Sequence, residues 1–100
     1  MHDTIEHTIL ERSIRINNRL GLHARPAAII ARTAQQFKAQ IWIIDHNRKA
    51  DAKSILDILC LGIPHKATIT IKVSGQDCVE ALNTLNTLFE QSFDEMTQQG

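Results

Sequence analysis

The chain has 100 residues, of which 43% are hydrophobic and 22% are charged, as expected for one globular domain rather than a disordered chain. Eleven basic and eleven acidic side chains cancel, and aromatic residues make up only 4% of the chain. This composition argues against a broad nucleic-acid surface. No apolar run approaches the roughly 20 residues that a membrane-spanning helix needs. The N-terminal segment has early acidic residues and no signal-peptide core, so we expect a cytoplasmic protein without membrane insertion.

The cysteines and histidines do not form a recognisable metal-binding or disulfide pattern. Cys60 and Cys78 form no CxxC motif, and we expect both to be reduced, buried side chains. The histidines other than His23 are scattered over the chain without an i, i+4 pair, so we predict neither a metal site nor a cofactor. They are His2, His7, His46 and His65.

The first predicted elements are a strand and a helix joined by a loop. After a polar tail at 1–8, apolar and polar residues alternate over 9–16, which predicts a strand. Residues 17–22 form a loop. Apolar residues at helical spacing predict an amphipathic helix over 24–37, and Pro26 fits its first turn, where a missing N–H costs nothing.

The middle of the chain predicts a hairpin and a short helix. The β-branched run at 41–44 predicts a buried strand, and 48–52 a short return strand. Ser54 followed by Asp57 has the form of a capping box, which predicts a helix over 55–61.

The last part of the chain predicts a strand and a closing helix. Strict alternation over 67–74 predicts a strand with one buried face and one polar face. Asp77 is predicted to cap the last helix, with Glu80 at its third position. The domain then spans 9–94, before a polar tail at 95–100. The order βαββαβα predicts an α+β fold with helices on one face of a mostly antiparallel sheet.

The segment from Gly21 to Ala27, GLHARPA, carries the most specific chemistry in the sequence. His23 lies directly before the helix start, where free N–H groups carry partial positive charge and favour a phosphate. Arg25 adds a guanidinium suited to phosphoryl oxygens. The positive surroundings favour a neutral imidazole, which can act as a nucleophile. The alternative is a surface histidine that serves only as a polar residue at the helix start.

GLHARPA resembles the active-site signature of the HPr family, the histidine-containing phosphocarriers of the bacterial phosphotransferase system. DAKSILDILCLGI, residues 51–63, is similar to the second signature of the family, around its regulatory serine. The spacing of the two signatures, the alternating strand, the Ser-Gly turn and the closing helix also fit. The resemblance therefore covers about residues 10–94.

The resemblance implies an open-faced β-sandwich, with four antiparallel strands covered on one face by three helices. It implies that His23 accepts a phosphoryl group on Nδ1 from phosphorylated enzyme I, charged by phosphoenolpyruvate, and passes it to an enzyme IIA-type acceptor. Arg25 then matches the arginine that assists the phosphoryl group, and Pro26 the proline that sets the helix start. Such a protein is a carrier rather than an enzyme, and we expect a monomer.

Two further features keep alternatives open. Ser54 is interpreted as a helix cap, but the resemblance also suggests phosphorylation by an HPr kinase, with Lys53 favouring and Asp57 opposing the added charge. The helix at 55–61 is apolar nearly all round, so it is either deeply packed or partly exposed for docking. The candidate docking residues are Leu22, Ile55 and Leu56.

The branch of the family is also left open. The segment at 18–27 and the closing QSFDE at 91–95 resemble the nitrogen-related homologues, called NPr, and Leu20 stands where sugar-transport members often carry a polar residue. By contrast, 52–62 is close to the kinase-regulated pattern. Lys66 stands at a turn where many relatives have glycine. We favour the regulatory, nitrogen-related route over sugar uptake.

The sequence also bears on an RNA-binding and a purely protein-binding function. An RNA-binding module of similar element order should show aromatic and basic residues on its strands. The strand at 67–74 instead shows Thr68, Thr70 and Lys72 on its polar face, and the chain has no net charge. A module of the same fold that only binds proteins would keep its activity after His23→Ala.

Overall fold

The structure is a computed structural model that describes residues 8–91 and 93. Within these residues the chain forms four strands and three helices in the predicted order. They are β1 (Ile9–Arg15), α1 (Ala24–Ala34), β2 (Gln40–Asp45), β3 (Arg48–Asp51), α2 (Ile55–Leu61), β4 (Thr68–Ser74) and α3 (Cys78–Glu90). Of the tails predicted at 1–8 and 95–100, only Thr8 lies within the described residues.

The strands form one sheet in the spatial order β1-β4-β2-β3, with every neighbouring pair antiparallel. Ile71 of β4 lies opposite Ile43 of β2, and Ile43 lies opposite Ala50 of β3. These three side chains are buried, with exposures of 1% or less. Because strand side chains alternate between faces, this register places one apolar row on the face that the three helices cover. The predicted open-faced fold is confirmed.

Helix α1 is shorter than its apolar pattern predicts. It ends at Ala34, and the next turns are tighter, with Gln36 N donating to Thr33 O and Phe37 N donating to Ala34 O, both at 3.1 Å. Phe37 still packs against the core although the backbone has left the α-helix. The apolar spacing therefore continues past the helix end, and the predicted end at Phe37 is wrong.

The predicted side-chain cap of α3 is also wrong. The Asp77 carboxylate makes no cap hydrogen bond and instead accepts from Lys38 N at 2.9 Å and Ala39 N at 2.8 Å. These hydrogen bonds hold the pKa of Asp77 below its usual value, with the Lys38 bond as the largest cause. Asp77 therefore joins the start of α3 to the segment that leads into β2, a connection that its neighbours in sequence do not indicate.

Both cysteines are free, but only Cys78 is buried, and the prediction that Cys60 is buried is wrong. Cys60 lies on α2 with its side chain toward solvent. Among the described residues, no helix is long and apolar enough to span a membrane.

Candidate functional site

His23 is the residue directly before α1, as the sequence predicts. Its backbone is extended, with φ −82° and ψ −165°, and its carbonyl oxygen accepts the first helical hydrogen bond from Ala27 N at 3.0 Å. The imidazole makes no side-chain cap hydrogen bond, and the residue is only partly buried. The ring is therefore not used to satisfy the helix start, as an ordinary capping side chain would be.

The start of α1 has N–H donors that no helical carbonyl can accept from. The N–H groups of Ala24 and Arg25 lie in the first turn, where no helical carbonyl can accept from them, and Pro26 has no N–H. Arg25 is exposed and Pro26 is buried. The first turn contains no acidic residue. The partial positive charge of the helix end and the exposed Arg25 therefore lie within two residues of His23 along the chain.

The other two helices in the described part of the chain start differently. Helix α2 has Ser54 as its side-chain cap and Asp57 in its first turn, and α3 has Glu80 in its first turn. Those starts already carry a compensating negative charge. Of these three helix starts, that of α1 is the one without a negative charge in its first turn, and it is the one directly preceded by an imidazole.

The loop before His23 is held closely against residues 63–64. Gly21 has φ +67°, and a Cβ placed there would clash with Ile63 O and lie 2.9 Å from Pro64 Cα. Leu22 N donates to Ile63 O at 3.0 Å. Only glycine fits this backbone position, for both conformational and steric reasons.

The prediction that Leu22 lies on an exposed docking surface is wrong. Its side chain is only 3% exposed and belongs to the hydrophobic core. Its backbone N–H donates to Ile63 O, so the loop is held against the core at this residue. Leu20 is instead 74% exposed, although the sequence interpretation considered it only as a marker of the family branch.

Helix α2 has both a core face and an exposed apolar face. Ile58 and Leu61 are buried, whereas Ile55 is 42% exposed and Leu56 is 73% exposed. The helix is therefore not packed on all sides. Together with Leu20, these two side chains are large hydrophobic groups in contact with solvent, which we call the exposed apolar set (Leu20, Ile55 and Leu56).

Ser54 acts as the predicted helix cap, but its capping box is incomplete. Its hydroxyl oxygen accepts from Asp57 N at 3.2 Å. The Asp57 carboxylate does not return a hydrogen bond to Ser54 N; it accepts from Asp51 N at 3.3 Å, while Ser54 N donates to Asp51 O at 3.0 Å. The Lys53 ammonium donates to Phe37 O at 2.7 Å and is thus held by the end of α1. Ser54 therefore contacts two acidic residues, Asp51 through its backbone N–H and Asp57 through its hydroxyl oxygen.

The remaining histidines that the structure describes lie in separate parts of the fold. Within residues 8–91 and 93, no group of three histidine, cysteine or acidic side chains is arranged to hold a metal ion. His46 lies on the β2–β3 turn and is 90% exposed, and His65 lies in the segment before β4. His2 and His7 lie outside the described residues.

Comparisons by sequence and by structure agree. A family model described as the PTS HPr component phosphorylation site matches residues 10–91. Phosphocarrier protein NPr of Shewanella violacea is 43% identical over 88 residues, covering 88% of this chain and 97% of that protein. Phosphocarrier protein HPr of Treponema pallidum is 33% identical over 84 residues, covering 84% and 96%. The crystal structure of HPr-C-His from Thermoanaerobacter tengcongensis matches with a TM-score of 0.82 and 41% identity, covering 85% of this chain and 96% of that one.

A histidine at such a helix start beside an open-faced sheet fits a histidine phosphocarrier, and the matched relatives are named phosphocarrier proteins, which carry a phosphoryl group rather than catalyse a reaction by themselves. The chain belongs to the HPr family of the phosphotransferase system. The family resemblance seen in the two signatures is confirmed.

Proposed function

We propose that this chain accepts a phosphoryl group on Nδ1 of His23 from phosphorylated enzyme I and passes it to an enzyme IIA-type acceptor. The observation that carries the proposal is the start of α1, where His23 is uncapped and directly precedes a first turn that contains Arg25 and no acidic residue. The proposed setting is the cytoplasm, with phosphoenolpyruvate as the original source of the phosphoryl group.

The transfer itself exchanges one phosphorus bond for another. The Nδ1 lone pair of neutral His23 attacks phosphorus, the bond from phosphorus to the donor breaks, and the departing electron pair stays with the donor. Arg25 and the N–H groups of the first turn stabilise the negative charge of the phosphoryl oxygens. The product keeps an N–P bond, and the second transfer repeats the exchange with the acceptor as nucleophile.

The exposed apolar set (Leu20, Ile55 and Leu56) is the proposed docking surface for both partners. Ile55 and Leu56 are the docking residues that the sequence predicts. Leu20 takes the place of Leu22, which is buried. We expect these three side chains to supply the apolar part of the contact with a partner, since apolar patches rimmed by polar residues mark protein interaction sites.

Within the family we propose the regulatory, nitrogen-related branch, with sugar uptake regulated at Ser54 as the alternative. The 43% identity to an NPr supports the first branch. The surroundings of Ser54 argue against the second, because a phosphate there lies near Asp51 and Asp57 while the Lys53 ammonium is engaged by Phe37 O. An HPr kinase is therefore a partner only in the alternative.

Onward transfer tests the function and the branch together. The phosphorylated protein, freed of enzyme I, is mixed separately with a nitrogen-type and a sugar-type IIA domain, and phosphate on each protein is followed by intact mass. We expect phosphate to move to the nitrogen-type domain faster. Faster transfer to the sugar-type domain would overturn the branch, and transfer to neither would leave a protein that is phosphorylated but not a carrier.

A further inference from the structure

The loop that carries His23 lies along a second segment far away in the sequence. Residues 16–22 run beside residues 63–67, with Ile16 N donating to Ala67 O and Lys66 N donating to Ile16 O, both at 2.8 Å. The contact of Leu22 N with Ile63 O closes the other end. The segment 63–67 thus supports the whole length of the loop before His23.

A side chain adds a hydrogen bond in the middle of this support. His65 Nδ1 lies 2.8 Å from Asn18 O, and the same carbonyl accepts from Gly21 N at 3.1 Å. A carbonyl oxygen can only accept, so Nδ1 of His65 must carry a proton. The imidazole therefore holds the carbonyl around which the loop turns toward His23.

Two features of this contact are energetically unfavourable in the folded chain. Lys66, next to His65, has φ +75°, a left-handed conformation that is unfavourable for a residue with a side chain. Asn18 is only 1% exposed, and its amide nitrogen has no hydrogen-bond partner among the described residues. Strained or unpaired groups persist where the surrounding structure fixes them, often near functional sites.

We propose that His65 is a positioning residue for phosphoryl transfer at His23. This role rests on the proposed function above. Through Asn18 O, the His65 ring fixes the turn at Gly21 and with it the direction from which His23 meets its partner. Loss of the hydrogen bond would let the loop shift against the start of α1. Group transfer is sensitive to misplacements of about 1 Å.

Three variants test the role in a single-turnover assay with saturating phosphorylated enzyme I. His65→Ala should lower the transfer rate about tenfold, because one positioning hydrogen bond is lost. His65→Asn should restore most of the rate, because its amide nitrogen can take the place of Nδ1. His46→Asn, at an exposed turn with φ +60°, is the matched control and should transfer like the wild type. Thermal melting confirms that each variant is folded.

A nuclear magnetic resonance measurement tests the hydrogen bond without any transfer. When neutral, His65 should carry its proton on Nδ1, whereas an unrestrained imidazole favours Nε2. A proton on Nε2 of neutral His65, or transfer by His65→Ala at the wild-type rate, would overturn the proposal, as would failure of His65→Asn to restore the rate. If the wild type accepts no phosphate at all, the proposed function falls, and the positioning role falls with it.

Discussion

At the scale of single residues, Gly21 and Gly62 form a matched pair. Both have left-handed backbones, with φ +67° and +59°, but a Cβ at Gly21 meets Ile63 O, whereas a Cβ at Gly62 has nothing within 4 Å. We predict that Gly62→Ala lowers the free energy of unfolding by about 1 kcal/mol, from backbone strain alone. Gly21→Ala should lower it by more than about 2 kcal/mol, because strain and a clash with backbone act together.

Urea unfolding of the two variants measures this difference. Gly21→Ala should also slow phosphoryl transfer to His23, whereas Gly62→Ala should not change it. Equal losses of stability would contradict the close packing of the loop against residues 63–64.

The residues of the candidate site differ in how well the sequence reveals them. His23, Arg25 and Pro26 lie within four positions, so helix physics alone places them together at one helix start. His65 bonds to Asn18 across 47 positions, and no local pattern signals such a contact. Leu22 was misassigned because a single apolar residue in a loop does not show which way its side chain points.

At the scale of elements, α2 presents an apolar side chain that the fold does not need. Leu56 is 73% exposed, so Leu56→Ser should change the free energy of unfolding by no more than about 0.5 kcal/mol. Because docking to enzyme I is proposed to cover this side chain, the variant should raise the KM of enzyme I for this protein several-fold. Steady-state phosphorylation with varied carrier concentration provides the measurement.

A control on another helix separates docking from general surface change. Val79 on α3 is 56% exposed, and Val79→Ser should leave the KM unchanged. If both variants raise the KM equally, or neither does, the docking surface is not the one that contains Leu56.

The start of α3 predicts a dependence of stability on pH. The Asp77 carboxylate accepts from two backbone N–H groups, and these bonds lower its pKa from the ordinary value of 3.8. A lowered pKa means that the folded state favours the ionised form. The contribution of Asp77 is therefore fully present above the ordinary carboxyl pKa and is lost as the pH falls through the lowered native value.

Asp77→Asn removes this contribution while keeping the size of the side chain. At neutral pH we expect the free energy of unfolding to fall by about 1–2 kcal/mol, because one amide oxygen replaces two charged acceptors. The difference between variant and wild type should shrink in acid, as measured by urea unfolding at pH 7 and pH 3. A difference that stays constant with pH would contradict the role of the carboxylate.

Elements were predicted well where the pattern is local. The bounds of α2 match those predicted, because its cap, apolar run and stop signals all lie within a few residues. The end of α1 was placed too late because Phe37 packs against the core from a tight turn. The role of Asp77 was missed because its partners lie 38 and 39 positions away.

At the scale of the whole molecule, the order of elements was predictable but the neighbours in the sheet were not. The alternating patterns of the strands and the helical spacing of the segments between and after them predict the order βαββαβα. The pairing of β4 with both β1 and β2 joins strands that are distant along the chain, and periodicity does not specify such pairings. The family resemblance supplied the fold, and the register and loop contacts then came from the structure.

The central claim is that His23 bears the phosphoryl group, and intact mass tests it most directly. The protein is mixed with phosphoenolpyruvate and enzyme I at neutral to alkaline pH, because an N–P bond is labile in acid, beside His23→Ala and a sample without enzyme I. We predict one added phosphate on the wild type and none on the variant or the enzyme-free sample. A folded wild type that gains no phosphate from an active donor, or a phosphorylated His23→Ala, would contradict the account.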